Sequence, residues 1–196
     1  MNLARALITA LKTSSPTTIP SYDKSAFSGA GDRVPSTHWR TINHTPHQKK
    51  TQVIILEGWC VGFRSLSPTA LSTLYNSSLT NPASTLPHHK LSHLQFVNER
   101  LKEYDVITDS FDAFIHIDAR ELGWVYEWRL EQEEGLRRER GVGMSGEMVR
   151  RFVDGYFPAY EMFTEGVRGG VVRGVDGAQL RLVVGRDRRV LEVLVV

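Results

Sequence analysis

Unbroken apolar runs mark the strands that this chain is expected to form. Residues 53–56, Val-Ile-Ile-Leu, are apolar at every position and lead directly into Glu57. A run of this kind is typical of a strand buried on both faces, as in a parallel sheet with helices on either side. Residues 113–118 predict a second core strand, and residues 180–184 and 190–196 predict a hairpin around a Gly-Arg-Asp-Arg turn.

Apolar residues at helical spacing predict helices over residues 2–12, 96–104 and 124–140, and a fourth helix that starts after Ser145, a good N-cap. Pro158 is expected to limit that fourth helix. The alternation of strands and helices predicts an α/β fold. Ser, Thr, Pro and His dominate residues 13–52, which we interpret mainly as loop, and residues 64–95, which we interpret as a flexible insertion that could hold a short helix.

Composition narrows the class of protein. A chain of 196 residues with 41% hydrophobic and 23% charged residues fits a single globular domain over residues 1–196. The net charge of +2 is too small to argue for a nucleic-acid or membrane partner. A single cysteine, Cys60, excludes an internal disulfide and makes a cysteine-rich zinc site a poor fit. We expect a cytoplasmic protein; the helix at the N-terminus either packs on the domain or is a targeting segment.

Two features suggest chemistry before any resemblance is considered. Glu57 follows a predicted buried strand, and ligands of open α/β sheets sit beyond the carboxyl ends of the strands. It is either a ligand of a metal or phosphate-bearing substrate, or an ordinary loop carboxylate. Twelve of the eighteen arginines lie at or after Arg129, which suggests either phosphate binding or a solvated charged surface.

Several motifs occur in a fixed order along the chain, and together they are far more specific than any one alone. They are Tyr22-Asp-Lys-Ser, Gly29-Ala-Gly-Asp-Arg33, Leu56-Glu-Gly-Trp59, Val97-Asn-Glu-Arg-Leu101, Trp128-Arg-Leu-Glu-Gln-Glu133 and Gly141-Val-Gly-Met-Ser145. This series resembles the D-glycerate 3-kinase-like family of ATP-dependent P-loop kinases, relatives of uridine kinase and pantothenate kinase. The resemblance implies a kinase-like parallel sheet with flanking helices, ATP and Mg²⁺ as cofactors, and a small hydroxy acid such as D-glycerate as substrate.

The resemblance also implies roles for residues in these motifs. Glu57 would support Mg²⁺, and Arg129, on the helix that leads to the kinase lid, would close on the transferred phosphoryl group. The family's substrate side matches Tyr22, Asp23, Lys24 and Arg33, although an ordinary Asp-Lys turn followed by a Gly-rich loop would give the same residues. Four further candidates each have a structural interpretation beside the functional one. Arg137 and Arg138 bind ATP or are surface charges. Asn98 contacts substrate or pairs locally, and Trp59 lines the substrate pocket or belongs to the core.

One part of the family pattern is not found. A P-loop requires Gly-Lys followed by Ser or Thr, and this chain contains no Gly-Lys dipeptide. We therefore expect a chain that begins inside the kinase domain, without the first strand and the P-loop, and with little or no phosphoryl transfer of its own. The alternatives are a non-catalytic kinase-like remnant that binds a partner or metabolite, and a fragment of an incomplete gene model. The oligomeric state is left open.

Overall fold

The computed structural model describes residues 2–23, 26–29, 31–44, 51–141 and 143–196. The chain divides into two compact units, residues 1–59 and residues 60–196, and each is described by itself. Whether the whole chain is a single domain therefore stays a prediction. Lys24 lies outside the described residues.

The first unit consists of short elements around two antiparallel strand pairs. The predicted helix is confirmed as α1, Asn2–Lys12. Strand β1, Thr17–Ile19, pairs with β4, Arg40–Ile42, and β2, Tyr22–Asp23, pairs with β3, Asp32–Arg33. A short helix α2, Ala26–Gly29, lies between β2 and β3, and a 3₁₀ turn, Ser36–His38, precedes β4.

The prediction of a buried strand at residues 53–57 is wrong in this structure. Residues 51–58 have irregular backbone, and Val53 and Ile55 are 75% and 87% exposed. No described strand pairs with this segment. The apolar run indicates a segment suited to burial, but a strand forms only where a neighbouring backbone completes its hydrogen bonds.

The second unit is built on a sheet whose described strands run in the order β5-β6-β7. β5, Phe114–Ala119, pairs in parallel with β6, Gln179–Val184, which pairs antiparallel with β7, Val190–Val195. The strand predicted near residues 113–118 and the C-terminal hairpin are thus confirmed, but β5 is not buried on both faces. One sheet face remains open, with Ile115 and Ile117 of β5 65% and 69% exposed and Val195 of β7 71% exposed.

The described residues of the second unit also form six helices. They are α3, Pro68–Ser78; α4, Leu91–Leu101; α5, Asp105–Thr108; α6, Trp124–Arg140; α7, Gly146–Asp154; and α8, Phe157–Arg168. Of these, α8 is joined to β5 and β6 by hydrogen bonds of Arg168 and of the Val167 carbonyl. The cap at Ser145 is confirmed, since its hydroxyl accepts a hydrogen bond from the backbone N–H of Met148 in α7. Pro158 begins α8 instead of ending α7, because proline fits the first turn of a helix, where its missing N–H is not needed. Within the described ranges, no helix is both long and apolar enough to cross a membrane.

Residues 64–95 differ from the loop that their composition suggests. They hold α3, the 3₁₀ turn Leu86–His88 and the start of α4. Leu71 and Leu86 are each only 1% exposed and belong to the main core cluster. Ser67 caps α3 by accepting the Ala70 amide, so part of the polar composition serves helix ends instead of a flexible loop.

The apolar face that Phe96, Val97, Leu101 and Tyr104 predict for the helix near residues 96–104 is wrong for three of the four. Phe96, Val97 and Tyr104 are 61%, 51% and 45% exposed. α4 instead buries Leu94 and Asn98, with Leu91 and Leu101 packed against the main core cluster. The amide of Asn98, which lies on this buried stripe, satisfies both of its ends on the backbone of Leu66.

Candidate functional site

The β2–β3 pair brings together residues of two motifs that lie nine and eleven positions apart in the sequence. Tyr22 lies opposite Arg33, and Asp23 lies opposite Asp32. All four side chains belong to exposed residues. A phenol, a guanidinium and two carboxylates are thereby placed on one short ribbon, hereafter the Tyr22–Arg33 ribbon. These groups can bind a small polar molecule that carries hydroxyl and carboxylate groups.

Gly31 allows this ribbon to form. Its φ is +79°, and a Cβ at this position would lie 2.5 Å from the Tyr22 hydroxyl oxygen. Any side chain would therefore displace the tyrosine ring as well as strain the backbone. The glycine of the Gly-Asp-Arg motif has a definite function in positioning Tyr22.

Like charges face each other on the ribbon. Asp23 and Asp32 occupy paired positions, an arrangement that is unfavourable unless donors or a cation lie close by. Asp32 Oδ1 accepts the Arg33 backbone N–H at 2.7 Å, which stabilises one of the two carboxylates.

Glu57 and Trp59 lie on the irregular segment of the first unit, and both are exposed. Trp59 is 53% exposed, so its assignment to the core does not describe this structure. Among the described residues, no group of three or more His, Cys, Asp and Glu side chains could hold a metal ion. An exposed single carboxylate nevertheless fits Mg²⁺, which usually takes one or two protein carboxylates and completes its shell with water and phosphate.

The residues that follow Trp59 serve the packing of the second unit. Gly62 has φ +90°, and a Cβ there would lie 2.7 Å from the Phe114 ring and 3.0 Å from Val171. Phe63 follows it into the main core cluster, against which Cys60 also packs. Burial raises the pKa of the Cys60 thiol, which makes a nucleophilic role unfavourable.

Arg64 extends this structural segment, and sequence analysis did not single it out. Its NH1 binds Asp105 at 3.0 Å, and its NH2 binds Asp109 at 2.7 Å and the carbonyl oxygen of Val171 at 3.2 Å. These contacts join the loop after Gly62 to α5 and to the connection before β6. The side chain of Asn98 likewise pairs with Leu66 at both ends, which favours the local interpretation over contact with substrate.

Arg129 lies on α6. Its NH2 binds Oε1 of the buried Glu133 at 2.5 Å, and its guanidinium carbon lies 4.9 Å from the centroid of the Phe152 ring on α7. The Arg129 side chain remains 31% exposed, so one side of the guanidinium faces solvent. Further along α6, Arg137 and Arg138 are both exposed, and the Arg137 side chain lies beside Gly143.

A second charged cluster, which sequence analysis missed, lies beneath the sheet. Asp118 is 1% exposed and accepts hydrogen bonds from Arg168 of α8 and Arg181 of β6. Burial alone would raise the pKa of Asp118, but the hydrogen bonds from both arginines outweigh it and lower the pKa. Burial lowers the pKa of His116, whose imidazole is therefore favoured in its neutral form. The sequence signal that could have revealed this cluster is the pair of polar residues at the alternate positions 116 and 118 of an otherwise apolar strand.

The curated proteins to which this chain is similar are kinases. No protein-family model matches the chain. The chain is 37% identical over 145 residues to the uncharacterized kinase mug58 of Schizosaccharomyces pombe, a match that covers 74% of this chain and 48% of that protein. It is 33% identical over 146 residues to the chloroplastic D-glycerate 3-kinase of Arabidopsis thaliana, covering 74% of this chain and 27% of that protein.

A solved structure agrees over a longer range. D-glycerate 3-kinase from Cryptococcus neoformans matches the whole of this chain with a TM-score of 0.85 and 30% identity, and the match covers 65% of that protein's chain. The chain thus spans less than half of the two curated relatives and less than two thirds of the solved one. These findings confirm the α/β fold and the kinase relationship predicted from the motifs, whereas the roles of individual residues stay predictions.

Proposed function

Because the chain is a homologue of D-glycerate 3-kinase and related ATP-dependent kinases, we propose that it carries the acceptor-binding and lid residues of an ATP-dependent kinase for a small hydroxy acid such as D-glycerate. One observation supports this most strongly: the Tyr22–Arg33 ribbon pairs Tyr22 of one family motif with Arg33 of another on an exposed surface. The acceptor chemistry follows from the groups on that surface.

Arg33 is the group that recognises the acid. A guanidinium binds a carboxylate through two parallel hydrogen bonds, which fixes the orientation of a molecule as small as glycerate. Asp23 accepts a hydrogen bond from an acceptor hydroxyl, and Tyr22 covers the ligand from the same ribbon. Lys24 follows Asp23 directly in the sequence and supplies a second positive charge.

Residues outside the ribbon serve the nucleotide. ATP supplies the phosphoryl group, and Mg²⁺ neutralises the charge that develops on its oxygens. Glu57 supports Mg²⁺ as a single exposed carboxylate. Arg129 binds the transferred phosphoryl through the solvent-facing side of its guanidinium, and Arg137 and Arg138 add positive charge along α6.

Calorimetric titration of the 196-residue chain with D-glycerate tests the acceptor role. We expect saturable binding of D-glycerate, with glycerol binding at least tenfold more weakly because it lacks the carboxylate. Arg33→Gln should weaken D-glycerate binding at least tenfold. Arg40→Gln, an exposed arginine of β4 in the same unit, is the matched control and should leave it unchanged. Equal binding of D-glycerate and glycerol, or equal effects of the two substitutions, would overturn the proposal.

A second candidate function is a kinase-like remnant that binds a metabolite without catalysis. The sequence without a Gly-Lys dipeptide favours it, because a P-loop is the main phosphate cradle of these kinases. Thermal unfolding is measured in separate samples with ATP and Mg²⁺ and with D-glycerate. A rise in Tm in the sample with ATP and Mg²⁺ supports the kinase. A rise in Tm with D-glycerate and none with ATP and Mg²⁺ supports the remnant.

A further inference from the structure

Glu133 is a buried carboxylate in α6, between exposed residues Gln132 and Glu134. It is 5% exposed, and each of its two oxygens has a different partner. Oε1 accepts from Arg129 NH2 at 2.5 Å, and Oε2 accepts from the backbone N–H of Met144 at 2.9 Å. A buried carboxylate is unfavourable unless it is satisfied in this way, so the side chain is held firmly in one orientation.

The turn after α6 wraps closely around this carboxylate. Gly141 ends the helix with φ +70°. A Cβ on Gly143 would lie 3.3 Å from Glu133 Oε2 and 2.7 Å from the Arg137 side chain. The glycine-rich sequence therefore permits the backbone to approach Glu133, and the Met144 amide completes the contact.

The position of Arg129 is determined by the same carboxylate. Its guanidinium lies between Glu133 and the face of the Phe152 ring, and its Nε is buried without an acceptor among the described residues. Glu133 accepts from NH2, NH1 donates to the exposed Gln132 at 3.3 Å, and the Arg129 side chain stays 31% exposed. An anion can therefore approach Arg129 without displacing Glu133.

We propose that Glu133 is a positioning residue, which orients Arg129 for a phosphate group and holds the backbone of Met144 in the same step. This inference rests on the proposed function of Arg129. Glu133 itself does not touch the phosphate. Its contribution is to hold the guanidinium at one angle, so that the anion does not have to order a mobile arginine on binding.

Two variants of Glu133 and one matched control test this positioning. Glu133→Gln keeps the size but has a single acceptor oxygen for two donors, and Glu133→Asp keeps the charge but is one methylene shorter. Glu134→Gln makes the same charge change at the next, exposed position of α6. Binding of inorganic tripolyphosphate is measured by calorimetry, and the Arg129 Nε–H signal is followed by NMR in the anion-free protein, with Arg129→Lys to assign it.

Both Glu133 variants should weaken tripolyphosphate binding about tenfold, and Glu134→Gln should change it less than twofold. Glu133→Gln should also speed exchange of the Arg129 Nε–H with solvent, which a purely electrostatic effect would not do. Unchanged or stronger tripolyphosphate binding by Glu133→Gln would overturn the proposal, since Glu133 would then compete with the anion. If the unsubstituted chain binds no tripolyphosphate, the lid function of Arg129 fails. In that case the exchange of the Arg129 Nε–H alone decides whether Glu133 positions Arg129. Equal exchange rates in Glu133→Gln and Glu134→Gln would overturn that proposal.

Discussion

Arg168 binds both carboxylate oxygens of the buried Asp118, with its Nε 2.8 Å from Oδ2 and its NH2 3.0 Å from Oδ1. This bidentate pair joins α8 to the C-terminal end of β5. Arg181 of β6 adds a further hydrogen bond of 2.8 Å to Oδ2. The charge of Asp118 is thus shared by two elements that pack on its strand, and the network holds the second unit together.

Removal of Arg168 should leave the buried carboxylate of Asp118 with Arg181 as its remaining arginine partner. We expect Arg168→Ala to lower the free energy of unfolding by about 3 kcal/mol, as for other broken buried pairs. Arg151→Ala is the control, since Arg151 and its partner Glu147 are 82% and 84% exposed, and it should change stability by less than about 1 kcal/mol. Urea unfolding measures both. Adding Asp118→Asn to Arg168→Ala should cost less than the sum of the single changes, and strict additivity would contradict the direct pairing.

His116 should make stability depend on pH in the weakly acidic range. Burial lowers its pKa, with positive charges on Arg181 and Arg168 acting in the same direction and Asp118 opposing them. The unfolded chain therefore takes up a proton near pH 6.5 that the folded chain resists. Stability should be full above pH 6.5 and fall as pH decreases through this window, by at most about 1.4 kcal/mol per pH unit.

Urea unfolding of His116→Gln across this window provides the test. The substitution should flatten the pH dependence, whereas His93→Gln, at an exposed position of α4, should leave it intact. Stability that rises as pH falls below 6.5, or a pH dependence that both variants share, would show that His116 is not the responsible group.

Gly62 should be more sensitive to substitution than other glycines of similar backbone conformation. Gly62→Ala places a Cβ 2.7 Å from Phe114 in addition to the strain of φ +90°. Gly174→Ala isolates the backbone effect, because its φ is +74° and no atom lies within 4 Å of the added carbon. We expect about 1 kcal/mol for Gly174→Ala and at least about 2 kcal/mol for Gly62→Ala by thermal or urea unfolding. Equal losses would mean that the core adjusts around the new methyl group.

Phosphoryl transfer by the 196-residue chain should be very slow. The chain contains no Gly-Lys dipeptide, and a missing phosphate cradle removes most of the charge stabilisation in this reaction. We expect ³¹P NMR with ATP, Mg²⁺ and D-glycerate to show a rate at least a thousandfold below an ordinary kinase turnover of about 1–100 per second. Turnover within that ordinary range would mean that other residues bind the phosphates.

The sequence predicted those elements whose pattern depends on their own residues. The hairpin around Gly185 and the helix capped by Ser145 follow from local turn and cap chemistry, and both are present. Residues 53–56 show the limit of such patterns, because a strand also requires a partner that the pattern does not specify. α4 shows another, since its buried stripe includes the polar Asn98, whose partner is the distant backbone of Leu66.

The candidate site was predictable as motifs but not as geometry. Tyr22 and Arg33 were both expected to face substrate, yet their pairing across one ribbon is a result of folding. Asp118 was missed because its two arginines lie 50 and 63 residues further along the chain. Long-range pairs of this kind leave no periodic signal in a single sequence.

A ¹⁵N NMR titration of the 196-residue chain with D-glycerate tests the central claim most directly, because it reports binding residue by residue. We predict saturable shifts concentrated on the Tyr22–Arg33 ribbon, including the Arg33 side chain, with none of this size in the presence of glycerol. The Arg40 side chain, on a neighbouring strand pair, should serve as the unaffected internal reference. Absence of saturable shifts, or shifts confined to other parts of the chain, would contradict the assignment of this ribbon as the acceptor site.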